Sequence, residues 1–191
     1  MSRAERVHDP QRISQGDDGY PDRLILRLGT DAPPAFTIVG PLAPLSSSLA
    51  AFLCSKETPG ATILKAFDQA AAWRDAERCV ISGFHSPLEK QCMDILLRGK
   101  QSIVMALARG IGALRLPAAQ RKALEEGRLT IISPFSATER RVSAELAGQR
   151  NRLVAALADE VVFAYVSPDG SLSRLAEEIA AWGGDYRQLH H

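Results

Sequence analysis

Apolar residues fall along this chain in two alternating rhythms, short unbroken runs and longer stretches in which every third or fourth position is apolar. The runs at 33–40, Leu49–Leu53, 79–81, 102–107, 129–132 and 161–165 are short and lack the alternation of a strand with one wet face. They predict strands buried on both sides. Between them, Ile63, Phe67, Ala70 and Ala71 predict a helix over Gly60–Asp75. Leu88, Cys92, Ile95 and Leu96 predict another over 87–98, opened by a proline in its first turn and stopped at Gly99. Residues 117–126, stopped by Gly127, and 171–182, closed by Gly183-Gly184, read the same way. Tyr20 to Leu24 reads as a short helical or extended segment. Strand and helix alternate with little spare length, so the expected fold is α/β, a doubly wound, mostly parallel sheet with helices on both faces.

Residues 1–19 carry charges, Gln and Gly without apolar spacing and read as a flexible arm, which leaves 20–191 as a single domain. The chain has 191 residues, 46% of them hydrophobic, enough for one proper core. A net charge of +1 supplies no global attraction to nucleic acid or to an anionic membrane, so any polyanion must be held by locally placed cations. The three cysteines, Cys54, Cys79 and Cys92, lie in apolar runs. They fit reduced thiols in the cytoplasm rather than disulfides or a metal site. No apolar stretch approaches the roughly 20 residues that cross a bilayer, and no membrane association, metal or cofactor is expected. The terminal His190-His191 is assigned no chemistry.

A doubly wound sheet binds ligands outside the carboxyl ends of its strands. Those ends read Cys54-Ser55-Lys56, Ser82-Gly83-Phe84-His85-Ser86, Ala108-Arg109-Gly110, Ser133-Pro134-Phe135 and Ser167-Pro168-Asp169-Gly170-Ser171. Small, hydroxylated and cationic residues recur, a composition suited to an anion cradled by backbone N–H groups and side-chain cations. The segment Arg150-Asn151-Arg152 adds to this, read as the start of a short apolar helix. Cations there oppose the helix dipole unless an anion sits between them and the free amides. The candidate ligand residues are therefore Ser55, Lys56, Ser82, Gly83, His85, Arg109, Arg150, Asn151, Arg152, Ser167, Gly170 and Ser171. No residue is assigned a catalytic role. Arg140-Arg141, with Glu139 and Glu145, reads as a solvated helix face.

These residues carry a resemblance. Ile81-Ser82-Gly83-Phe84, the strand ending at Arg109-Gly110, Arg150-Asn151-Arg152-Leu153 before a valine-rich strand, and the opening Tyr20-Pro21-Asp22-Arg23-Leu24 resemble the Rossmann-like core of the DNA-processing protein A (DprA/Smf) family. The resemblance spans about Tyr20 to Trp182. It implies a cytoplasmic homodimer that binds single-stranded DNA and hands it to a recombinase, with the turn after the first core strand and the Arg-Asn-Arg helix holding phosphates. Cys54-Ser55-Lys56 stands where the family has Gly-Ser-Arg, and Pro87-Leu88-Glu89 where it has Gly-Ile-Asp. No winged-helix pattern follows Trp182, so a divergent, stand-alone member is expected. Helix 171–182, with Leu172, Leu175, Ile179 and Trp182 on one face, either packs on the sheet or makes the dimer contact.

A second resemblance, of Pro168-Asp169-Gly170-Ser171-Leu172-Ser173 to the turn of nucleotide phosphoribohydrolases, implies an enzyme of the same fold acting on a nucleotide. Ala176 stands where that family has glutamate, with Glu177 one residue late. A non-catalytic nucleotide sensor and a structural or interaction protein are the remaining alternatives. The expectation is a binding protein for single-stranded DNA or a nucleotide rather than an enzyme.

Overall fold

In the computed structural model, which describes residues 9–112 and 114–189, the unbroken apolar runs become the inner strands of one eight-stranded sheet. The strands are β1 (Gln11–Ser14), β2 (Ala35–Val39), β3 (Leu49–Leu53), β4 (Cys79–Ser82), β5 (Ile103–Ala106), β6 (Leu129–Ser133), β7 (Glu160–Phe163) and β8 (Asp185–Gln188). Their order is β1-β2-β6-β5-β4-β3-β7-β8. The six strands from β6 to β8 run parallel, while β2 is antiparallel to β6 and β1 to β2. Every residue of β3, β4, β5 and β6 is buried, the two-sided burial that continuous apolar runs predict. The mostly parallel, Rossmann-like α/β architecture stands.

Helices cover both faces. α1 (Asp22–Leu28), α5 (Ala144–Leu157) and α6 (Ser171–Ala181) share one core with the sheet, and α2 (Gly60–Asp75), α3 (Pro87–Leu96) and α4 (Ala118–Glu125) share the other. The apolar stripe of α6, Leu172, Leu175 and Ile179, is buried in the chain's own core, so it packs on the sheet instead of facing a partner. Cys54, Cys79 and Cys92 are free and buried, and burial pushes the Cys92 thiol up to about 12.

Three expectations change. The arm of residues 1–19 is not loose throughout: Gln11–Ser14 pairs with β2, and just after the arm Tyr20 is buried, its hydroxyl donating to the Pro33 carbonyl at 2.6 Å. Backbone pairing needs no apolar periodicity, which is why the pattern missed this edge strand and also the polar β8. Residues 1–8 of the arm, and His190-His191, lie outside the described residues. The helix carrying Arg150 begins at Ala144, with Ser143 as its N-cap accepting the Leu146 N–H at 3.1 Å. Arg150 and Arg152 therefore sit in the helix body, beyond the reach of the N-terminal dipole. Arg140 and Arg141 lie in the exposed loop between β6 and α5, not on a helix face.

The carboxyl end of α5 is closed by arginines from α1. The Arg27 guanidinium donates to the carbonyls of Ala156 (3.0 Å) and Ala158, and Arg23 to that of Leu157 at 2.7 Å. Arg23 also meets Asp159, which accepts the Leu49 N–H at 2.8 Å at the start of β3. Burial pushes the Asp159 carboxyl up, but the Leu49 amide and the Arg23 and Arg27 charges together hold it below its ordinary value. Such a group adds stability above the ordinary carboxylate range and loses it as pH falls through the lowered pKa. Arg27→Met is expected to destabilise the fold by about 2–3 kcal/mol in urea unfolding at neutral pH. Asp159→Asn should flatten the acid limb of the stability profile, and a variant whose acid limb matches wild type would contradict this capping role.

Candidate functional site

Because the chain builds outward from β3 in one direction through β4, β5 and β6 and then returns to add β7 and β8 on the other side, the loops leaving β3 and β7 diverge. The point where they part, outside the carboxyl ends, is where doubly wound sheets bind ligands. Ser55 spans it: its N–H donates to the Tyr165 carbonyl at 2.9 Å, and its hydroxyl accepts the Ser167 N–H at 2.9 Å.

Beside this bridge, above β3 and β4, lies a cavity of about 360 Å³. Its walls are Cys54 and Lys56 after β3, His85, Ser86, Pro87 and Glu89 after β4, and Val142 to Ala144, Ala147, Arg150 and Asn151 from the entry and first half of α5. Lys56 and His85 are exposed at the rim. Arg150 is only 4% exposed. Its Nη1 donates to the Ala106 carbonyl at the end of β5 (3.2 Å) and its Nε to Asn151 Oδ1 (2.8 Å), while Nη2 has no partner among the described residues. Burial lowers the Arg150 pKa and the nearby Glu89 charge opposes that shift.

Glu89 is the second charge in this region, likewise 4% exposed. Its Oε1 accepts the Cys54 N–H at 3.1 Å, and its Oε2 accepts those of His85 (2.8 Å) and Ser86 (3.1 Å). Ser86 Oγ accepts the Glu89 N–H at 3.2 Å, completing a capping box on α3. One carboxylate thus ties the loops after β3 and β4 to the start of α3. The spacing Ser86-x-x-Glu89 signals that box in the sequence, but only the tertiary structure adds the third donor, Cys54.

The turn after β4 is shaped around Arg150. A Cβ on Gly83 would lie 1.3 Å from Arg150 Nη1, so only glycine lets the guanidinium pass. Phe84 adopts a left-handed conformation, φ 46°, its N–H bonded to Ser82 Oγ at 3.2 Å. Ser82 and Gly83 therefore form the floor under the site, not its lining.

Of the remaining expected ligand residues, Arg109 stands at the next strand end, half-buried, with its carbonyl accepting the Ser133 hydroxyl at 2.7 Å. Arg152 points elsewhere. Two residues further along a helix is a rotation of about 200°, and its guanidinium is held by Glu178 and by Asp31 at 3.1 Å on the α1 and α6 side. Ser167, Gly170 and Ser171 lie across the Ser55 bridge at the start of α6 and do not line the cavity. Sequence reasoning took Arg140 and Arg141 for a solvated helix face and passed over Val142. The two arginines are exposed and have no ion-pair partner among the described residues, and they lead directly into the cavity wall at Val142.

The sequence profile of the family described as DNA recombination-mediator protein A matches residues 11–178. Comparison of the sequence with curated proteins finds no match. Among solved structures, the fold is similar to DNA processing protein A from Streptococcus pneumoniae, with a TM-score of 0.78 and 18% identity over 97% of this chain and 64% of that one. It is also similar to DNA processing protein A from Helicobacter pylori, described with a single-stranded DNA binding mode, at a TM-score of 0.73 and 14% identity over 95% and 80% of the two chains. A molybdenum cofactor binding protein from Rippkaea orientalis is a more distant likeness, with a TM-score of 0.52 and 9% identity over 74% and 76%. The chain thus spans 64% of the length of the S. pneumoniae protein.

Gly83→Ala is expected to expel the Arg150 guanidinium from its seat, costing about 1–3 kcal/mol of stability. Gly148→Ala in α5, where the added methyl meets open space, serves as the control and should stabilise by about 0.5–1 kcal/mol. Equal melting temperatures for the two variants would show that the Gly83 turn does not depend on Arg150.

Proposed function

This chain belongs to the DNA recombination-mediator protein A family, and from that premise we propose that it binds single-stranded DNA at the cavity outside β3 and β4 and passes the strand to a recombinase. The observation that carries the reading is the convergence of Lys56, His85, Arg150 and Asn151 on one cavity at the carboxyl ends of the sheet. Arg140 and Arg141 on the neighbouring loop supply further cations toward the β6 side, with Arg109 at the end of β5. A chain of net charge +1 attracts a polyanion through such a local track. Arg152 is left out of this reading, because Glu178 and Asp31 already neutralise it. We place the action in the cytoplasm, which suits three free, buried cysteines. Among the described residues no helix is long and apolar enough to cross a membrane.

The hydrolase alternative lacks a positioned carboxylate. Glu177 is exposed on α6, and Glu178 is engaged by Arg152. Glu89 borders the cavity, but both of its oxygens are taken up by backbone amides. General acid or base chemistry needs a carboxyl free to exchange a proton with substrate.

Affinity for an oligothymidylate should fall linearly with salt on logarithmic axes, by about 0.7 per phosphate contacted. Lys56→Ala, and Arg140→Ala with Arg141→Ala, should each reduce that slope by about one contact per cation removed. A slope unchanged in all of these variants would remove the cavity and its adjoining loop from the binding surface.

The homodimer belongs to the same reading, though not through α6, whose apolar stripe is internal. Ile25 and Leu26 on α1 are exposed, Leu26 to 82%, and offer the surface instead. Sedimentation at micromolar concentration tests this: Leu26→Asp should convert a dimer to a monomer, and a monomeric wild type would refute it.

A further inference from the structure

We propose that Glu89 determines which anions the site accepts. By filling the amides of Cys54, His85 and Ser86 with an internal carboxylate, it turns away free phosphate and nucleotide 5′-phosphates and leaves the site to the singly charged phosphodiesters of a polynucleotide. The proposal rests on the reading of the cavity as the DNA site and adds the ligand class that the site rejects.

In doubly wound folds the amides at a helix N-terminus, just outside a strand's carboxyl end, are the natural seat of a nucleotide phosphate. Here that seat is taken. The Glu89 carboxylate accepts from three backbone N–H groups at 2.8 to 3.1 Å, two of them at the start of α3 and one from the end of β3. The Ser86 hydroxyl holds the other end of the same residue through its N–H. At 4% exposure the carboxylate forms part of the wall, and its charge offsets that of Arg150, whose guanidinium lines the same cavity.

An incoming phosphomonoester carries roughly 1.5 to 2 negative charges at pH 7. It would meet a fixed negative charge in a poorly solvated wall, with the donors it needs already occupied, and like charges brought together there are costly. A phosphodiester carries one charge and gains from several cations at once. Lys56 at the exposed rim and Arg140 and Arg141 on the loop outside it can hold it without the buried amides. Discrimination then comes from a carboxylate standing where the phosphate would sit.

The experiment is calorimetry with three probes, an oligothymidylate, dAMP and inorganic phosphate, on wild type, Glu89→Gln and Glu89→Ala, together with melting temperatures in phosphate and in a non-coordinating buffer. Wild type should bind the oligonucleotide and give no heat with dAMP or phosphate up to about 10 mM, a range that reveals even weak association. Glu89→Ala leaves Arg150 buried without its counter-charge. Added phosphate should replace the missing carboxylate, raising the melting temperature with concentration and the phosphate affinity by about tenfold or more.

If Glu89→Ala folds only in phosphate, its refolding yield reports the same rescue. If it folds in neither buffer, Glu89→Gln, which keeps the side chain's shape, is read for the same gain. Wild type that binds dAMP or phosphate as well as it binds the oligonucleotide would overturn the inference and leave the DNA reading intact. Folded Glu89 variants indifferent to phosphate would do the same. Wild type that binds none of the three probes would instead remove the DNA reading itself.

Discussion

Two opposite charges sunk at the carboxyl ends of the central strands constrain the rest of this molecule. Burying a carboxylate or a guanidinium costs several kcal/mol unless each finds opposite charge and hydrogen bonds. Glu89 is offset by three backbone amides and Arg150 by the Ala106 carbonyl, by Asn151 and by the field of Glu89 itself. Meeting those needs draws in the ends of β3, β4 and β5 and the body of α5. The turn after β4 must omit a side chain at Gly83 and place Phe84 in a left-handed conformation to let the guanidinium through. The loops that could have stayed mobile are thereby fixed at the place where a ligand would enter.

This arrangement changes what the strand-end residues do. Strand-end serines and helix amides suggest a cradle open to phosphate, yet here most of those groups serve the protein. Ser82 and Ser133 hydroxyls hold the turns that follow them, Ser55 joins two loops, and the amides of Cys54 and of His85 and Ser86 just before α3 hold Glu89. What faces outward is side-chain charge on Lys56, Arg140 and Arg141. A surface of that kind suits a long, evenly charged strand better than a small molecule enclosed on all sides.

Arg150 and Arg152 show how a single motif divides its labour. They are two positions apart, so a helix sends them to opposite sides. One enters the cavity wall; the other ties α5 to α6 and to the turn after α1 through Glu178 and Asp31. The same helix is clamped at its carboxyl end by Arg23 and Arg27, so its register against the sheet is set at both ends. That rigidity is what a site assembled from its first half requires.

The apolar rhythm by itself determined the alternation of strands and helices and the burial of β3 to β6 on both faces, and it directed attention to the carboxyl ends where the candidate cavity lies. Those follow from local periodicity, which each segment carries within itself. The motifs also carried the family, because Arg150-Asn151-Arg152 and Tyr20-Pro21 are readable without a structure. Edge strands β1 and β8 escaped, since pairing at a sheet edge uses backbone groups that every residue has. The start of α5 escaped as well: Ala144 to Gln149 holds one large apolar residue, Leu146, and none of its residues is fully buried, while its cap at Ser143 leaves no apolar mark. Only the tertiary structure decided that Arg150 turns inward while Arg152 is held by carboxylates, that Arg140 and Arg141 are exposed beside the cavity, and that Glu89 holds an amide 35 positions away at Cys54. Which cation meets an anion depends on what else lies within a few ångströms, and that is set by the folding together of segments far apart in the chain.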